Sequence, residues 1–128
     1  MEFNFLITLV GLIIITLIDS TYLTLNKDFY SSIIDPNVPI NIVYAITTWL
    51  LIIISIQLIV LAQDNLTQSK VFVNGILLGL AMYGVYNLTN ASLYQDKWNN
   101  LIIIGDTLWG MSLTGIMSLI LFNIQMKI

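Results

Sequence analysis

The stretch FNFLITLVGLIIITLIDSTYLTL, Phe3 to Leu25, decides the fold. As a helix rising about 1.5 Å per residue, it is long enough to cross a hydrocarbon core of about 30 Å. Lipid offers backbone groups no partners, so a run of this length must pair its N–H and C=O groups internally and is read as helix. Three further runs have the same character: Ile40 to Ala62, Val71 to Tyr94 and Leu101 to Gln125. Strings such as LIIIS and LIIIGD are rich in β-branched Ile, a strand signal in water. The alternating polar positions of a membrane β-barrel are missing. The expected fold is therefore all-α, one integral membrane domain over residues 1–128, with four transmembrane helices over 3–25, 40–62, 71–94 and 101–125.

Composition points the same way. The 128 residues are 58% hydrophobic and only 9% charged, with mean hydropathy +0.92. Soluble domains carry about a quarter charged residues, so the apolar excess must face lipid. The absence of Cys and His excludes thiolate chemistry, Ser-His-Asp triads and His metal clusters. Without Arg there is no bidentate phosphate clamp, and with no basic patch there is no case for nucleic acid. The first run has no basic leader and no small-residue cleavage site before Asp19, so it reads as a retained span.

Short connectors at Gln63–Lys70 and Gln95–Asn100 make consecutive spans antiparallel neighbours. The longest connector, Asn26–Pro39, combines an apolar patch (Phe29, Tyr30, Ile33, Ile34) with a turn signal at Asp35-Pro36-Asn37. It reads as a short interfacial helix after an Asp28 cap, and Pro39 reads as the start of the second span. Both termini and the Gln63–Lys70 loop then share one face, A, and the other two connectors share face B. Each face holds two lysines, Lys70 and Lys127 against Lys27 and Lys97, so charge does not orient the bundle.

Two carboxylates lie within these spans. An acidic side chain in hydrocarbon costs roughly 2.5–3.5 kcal/mol on insertion scales and therefore tends to face protein or a water-filled path. Asp19 is about 9 Å from the face B end of its span, and Asp106 roughly 8 Å from the same face. The third span delivers Tyr83, Tyr86, Asn87, Thr89 and Asn90 to that depth, with Tyr83, Asn87 and Asn90 spaced along one helical face. Tyr22 shares a face with Asp19, and Trp109 with Asp106. Asp19, Asn90 and Asp106 are expected to converge in one layer, surrounded by Tyr22, Asn87 and Trp109. No Arg, His or equally deep Lys can neutralise two ionised carboxylates there, so the pair is expected to hold a proton or a cation. Trp49, Trp98, Tyr94 and Tyr30 read as belt residues at the membrane interface. Gly75 and Gly79 on the third span, with Gly110 and Gly115 on the fourth, permit close helix packing. Gly105, beside Asp106, is a place where the fourth span can loosen.

The stretch YGVYNLTNASLYQDKWNNLIIIGDTLWG resembles the signature of the DUF2177 membrane-protein family. That family shows Tyr-Asp/Asn-Leu-Thr-Asn, a downstream Trp and Asp-x-x-Trp-Gly. Here these are Tyr86, Asn87, Leu88, Thr89, Asn90, Trp98, Asp106, Trp109 and Gly110. LIDSTYLTLNKDFY likewise resembles the family's N-terminal motif and places Asp19, Tyr22, Leu23, Phe29 and Tyr30. The resemblance implies a small four-span protein of bacteria or large DNA viruses, with no established activity. Many members have Asp where this chain has Asn87, which weakens a divalent-metal reading here.

The leading expectation is a non-enzymatic, multi-pass protein of a bacterial inner membrane or a host or virion membrane. Its site at Asp19, Tyr22, Tyr86, Asn87, Thr89, Asn90, Asp106 and Trp109 would bind or conduct a small cation, a proton or a lipid headgroup, as a channel or carrier in a homo-oligomer. No catalytic residue, metal ligand or cofactor is assigned, and the expected partners are the lipid bilayer and further copies of the chain. One alternative is a structural membrane or virion-membrane component whose polar layer only fixes helix register. A further alternative is an intramembrane aspartyl-type or lipid-modifying enzyme, in which two nearby carboxylates share a proton.

Overall fold

The computed structural model describes residues 1–128. It contains four long helices: α1 over Phe5–Leu25, α2 over Ile42–Ser55, α3 over Gln68–Leu93 and α4 over Asn100–Lys127. α2 continues without a break into a π-helical segment, Ile56–Val60, so the second span covers Ile42–Val60. All four spans are long and apolar enough to cross a membrane. Even in α4, the most enclosed, only 44% of the most apolar window is buried, which leaves the rest of its surface for lipid.

Side chains that accept from free backbone N–H groups set the helix starts. Asn4 accepts from Leu6 and Ile7, Asn41 from Val43 and Tyr44, Thr67 from Lys70, and Asn99 from Ile102. The second span therefore begins after Asn41 rather than at Pro39. An Asn side chain satisfies two orphan donors there, which a proline ring cannot do.

The helices pack unevenly. α3 and α4 form the closest pair, and Gly75 and Gly79 are why. A Cβ on Gly75 would lie 2.8 Å from the Thr114 carbonyl oxygen, and one on Gly79 would lie 2.6 Å from that of Gly110. Thr114 Oγ1 donates across this crossing to the Gly75 carbonyl at 2.6 Å. α1 packs on α2 and α4, with Gly11 against Ile53 and Leu121. The second span meets α3 and α4 through its Ile56–Val60 segment near face A. The buried apolar core, including Ile7, Ile15, Ile53, Ile56, Leu113, Met117 and Leu121, runs from the middle of the bundle to face A. Towards face B the interior opens.

The connector between α1 and α2 corrects one expectation. Residues 26–33 form successive turns rather than an interfacial helix. Tyr30 N–H donates to the Asn26 and Lys27 carbonyls, Ser31 N–H to Asp28 and Ile34 N–H to Tyr30. Local propensity yields here to two inward contacts: Tyr30 is drawn to Asp106, and the Phe29 ring occupies the space where Gly105 has no side chain. Gly105 thus receives a ring and does not loosen α4, which stays helical throughout. The turn at Asp35-Pro36-Asn37 forms as expected, with Asp35 accepting from Asn37 N–H at 2.9 Å.

Candidate functional site

Asp19 and Asp106 line one cavity of about 500 Å³ in the face B half of the bundle. Asp19, from α1, accepts from two indoles: Trp49 Nε1 at 2.9 Å and Trp109 Nε1 at 2.8 Å. Asp106, from α4, accepts from Tyr30 OH at 2.7 Å and Asn87 Nδ2 at 2.8 Å. Each of the four carboxylate oxygens therefore has one neutral donor. A hydrogen bond to a charged group contributes about 1.5–3 kcal/mol, so two per carboxylate are on the scale of the insertion cost of roughly 2.5–3.5 kcal/mol.

The carboxylates share no hydrogen bond; aromatic groups connect them instead. The Tyr22 ring stacks on Trp109 with centroids 3.8 Å apart and planes 6° from parallel. The Tyr22 hydroxyl lies 3.0 Å from that of Tyr30. Burial pushes the Tyr30 phenol above the ordinary tyrosine range, and its bonds to Tyr22 and Asp106 push the same way. Tyr30 thus keeps its single proton and donates it to Asp106, so Tyr22 must donate to Tyr30. Contacts thus run from Asp19 by hydrogen bond to Trp109, by ring stacking to Tyr22, and by hydrogen bonds through Tyr30 to Asp106.

Asn87 closes the far side. It is fully buried, and its oxygen accepts from Trp98 Nε1 at 3.0 Å. An indole only donates, so the amide orientation is fixed: Nδ2 faces Asp106 and the Tyr83 carbonyl. Tyr83 and Tyr86 complete the wall on α3. Tyr86 is half exposed at the cavity edge, its ring edge-on to Trp98. The remaining lining is largely aliphatic.

The expected layer forms in part. Asp19, Tyr22, Tyr86, Asn87, Asp106 and Trp109 come together. Thr89 is exposed and takes part only through its backbone carbonyl, which accepts from Ser92. Asn90 turns back to the Tyr86 carbonyl at 2.9 Å, because Trp98 folds in from the connector and occupies the place beside Asn87. Tyr30, Trp49 and Trp98 are not belt residues: each places its polar atom on a site side chain. Tyr94, half exposed and tilted against Trp98, keeps a position compatible with the interface. The signal for the two tryptophans was their count: the chain has three, and all three indoles donate in this layer.

No cluster of three or more His, Cys, Asp or Glu forms in the chain, and Asp19 and Asp106 are the two carboxylates that line the cavity. Neither a curated protein nor a solved structure matches the chain. A family model described as "Predicted membrane protein (DUF2177)" matches residues 4–123, which include every residue of the site. This chain is a member of the DUF2177 family and an integral membrane protein.

Proposed function

We propose that this protein binds a small positively charged group, whether a cation, a proton or the basic end of a lipid headgroup, between Asp19 and Asp106. One observation carries this reading. Both carboxylates open on the same cavity, and every hydrogen bond they receive comes from a neutral group. Ionising both carboxylates in a low-dielectric layer with no internal cation creates a demand for positive charge that neutral donors reduce and do not cancel. The surrounding rings add favourable faces for an organic cation.

A second reading has support of its own: four donors for four carboxylate oxygens is also what a purely structural polar layer would show. Asp106→Asn separates the two. The new amide can turn its oxygen to Asn87 Nδ2 and its nitrogen to the Tyr30 hydroxyl, which then donates to Tyr22, so folding survives. Wild type and Asp106→Asn are reconstituted in nanodiscs and titrated with tetramethylammonium while tryptophan emission is followed. A saturable change in wild type that weakens at least tenfold in the variant supports the binding site. Superimposable curves reject it and leave the packing role. If binding is part of transport, uptake into liposomes falls with the same substitution.

A further inference from the structure

The walls of the cavity and the position of its opening narrow the class of ligand. The face B side is roofed by protein. Tyr30, Ile33 and Ile34 come from one connector and Trp98 from the other. The two connectors are tied together where Ser32 Oγ donates to the Lys97 carbonyl at 2.8 Å. The flank between α2 and α3 is different. The second span meets α3 through Ile56–Val60, at the opposite end, and leaves the face B half of this flank loosely packed. Thr48 and Leu51 stand exposed on the α2 rim, and Tyr86 on the α3 rim is 51% exposed. At this depth the surroundings of an exposed leucine are lipid, not water. The opening therefore faces sideways into one leaflet.

Size and chemistry agree with that direction. About 500 Å³ is the volume of a site for an organic molecule, far more than one small ion fills. Leu23, Leu51, Ile52 and Met82 supply apolar wall that a lone hydrated ion would not use. At the inner end, two carboxylates and the lining rings of Tyr30, Tyr83 and Trp109 suit an ammonium group by charge and by cation–π attraction. No lysine lines the cavity and the chain has no Arg, so no cationic side chain there would pair with a phosphate. A phospholipid head would place its phosphate beside two carboxylates.

We infer that the ligand is a cationic amphiphile, an ammonium head on an alkyl chain with no phosphate, that reaches Asp19 and Asp106 sideways from the bilayer between α2 and α3. This rests on the carboxylates taking positive charge and adds the chain and the route. The head displaces water at the carboxylates, and the alkyl chain passes the Thr48–Leu51 rim into lipid.

All three tryptophans sit in the site, so intrinsic emission reports occupancy with no added label. The protein in neutral-lipid nanodiscs is titrated with dodecyltrimethylammonium, dodecylphosphocholine and tetramethylammonium. The first two share a chain length and are compared at equal mole fraction in the bilayer. Dodecyltrimethylammonium is expected to saturate the change at least tenfold below dodecylphosphocholine and roughly a hundredfold below tetramethylammonium. Equal responses to dodecyltrimethylammonium and tetramethylammonium would overturn the amphiphile and leave the cation site standing. Equal responses to the two amphiphiles would remove the requirement for net positive charge, and no response to any probe would sink both readings. The double substitution Thr48→Phe and Leu51→Phe adds bulk only at the rim. It should weaken dodecyltrimethylammonium at least tenfold while leaving tetramethylammonium within twofold. Equal weakening of both, or of neither, contradicts the sideways route.

Discussion

Near face A, Gln57 is buried in the interior with both ends of its amide engaged: Oε1 accepts from Asn4 N–H at 2.9 Å and Nε2 donates to Thr8 Oγ1 at 2.7 Å. Thr114 and Ser118 are equally buried and bond to backbone carbonyls across or along the helices. Near face B, Asp19 and Asp106 also have their bonds, yet a cavity remains beside them. The difference teaches what a buried polar group signifies in this bundle. Around Gln57 the polar group is closed in and fixes register; Asp19 and Asp106 are acidic groups with open volume beside them. Glycine spacing separates the halves too. α3 and α4 touch backbone to backbone at Gly75 and Gly79, whereas at Asn87 and Asp106 they are held apart by side chains.

Substitutions can break this contrast, beginning with the tightest contact. Gly79→Val would drive a side chain into the Gly110 carbonyl, where backbone cannot yield. A loss of at least about 1–3 kcal/mol, or of the folded bundle, is expected in denaturant-monitored unfolding. Retained stability would show that the crossing is looser than described. Gln57→Leu leaves the Asn4 N–H without its partner and should cost about 1–3 kcal/mol while leaving tetramethylammonium binding intact. A change in that binding would erase the boundary between the halves.

The two carboxylates should respond differently to the same change. Asp19 faces two indoles that only donate, so the nitrogen introduced by Asp19→Asn meets a donor, costing about 1–3 kcal/mol. Asp106→Asn has a reversible hydroxyl chain to accommodate it and should stay within about 1 kcal/mol of wild type. Equal melting shifts for the two would contradict the donor assignments. The smallest effect belongs to Thr89→Ala and Asn90→Ala. Both lie outside the cavity, and stability and binding should change by no more than about 0.5 kcal/mol in the same assays.

Much of this was legible in sequence because a membrane simplifies the problem. Span length forces helix, and depth along a span follows from counting residues, which placed Asp19, Asn87, Asp106 and Trp109 in one layer. Aromatic residues near span ends were harder. Trp49, Trp98 and Tyr30 have the sequence position of interfacial residues, and only the tertiary arrangement shows that their polar atoms turn inward to a carboxylate or an amide. The turns over 26–33 escaped for the same reason: an apolar patch after Asp28 has a helical pattern, and the partners that unwind it, Gly105 and Asp106, are more than 70 residues away. Asn90 shared a face with Asn87 by periodicity, but periodicity could not foresee that Trp98 would take the place beside it.

The most direct test is to see the cation. Crystals grown with bromoethyl-trimethylammonium place an anomalous scatterer on an ammonium head. A bromine peak is expected inside the cavity, with the ammonium between Asp19 and Asp106 among the rings of Tyr30, Tyr83 and Trp109. A well-ordered site that stays empty at saturating ligand, with all four neutral donors still on the carboxylate oxygens, would contradict the cation site and reduce this layer to packing.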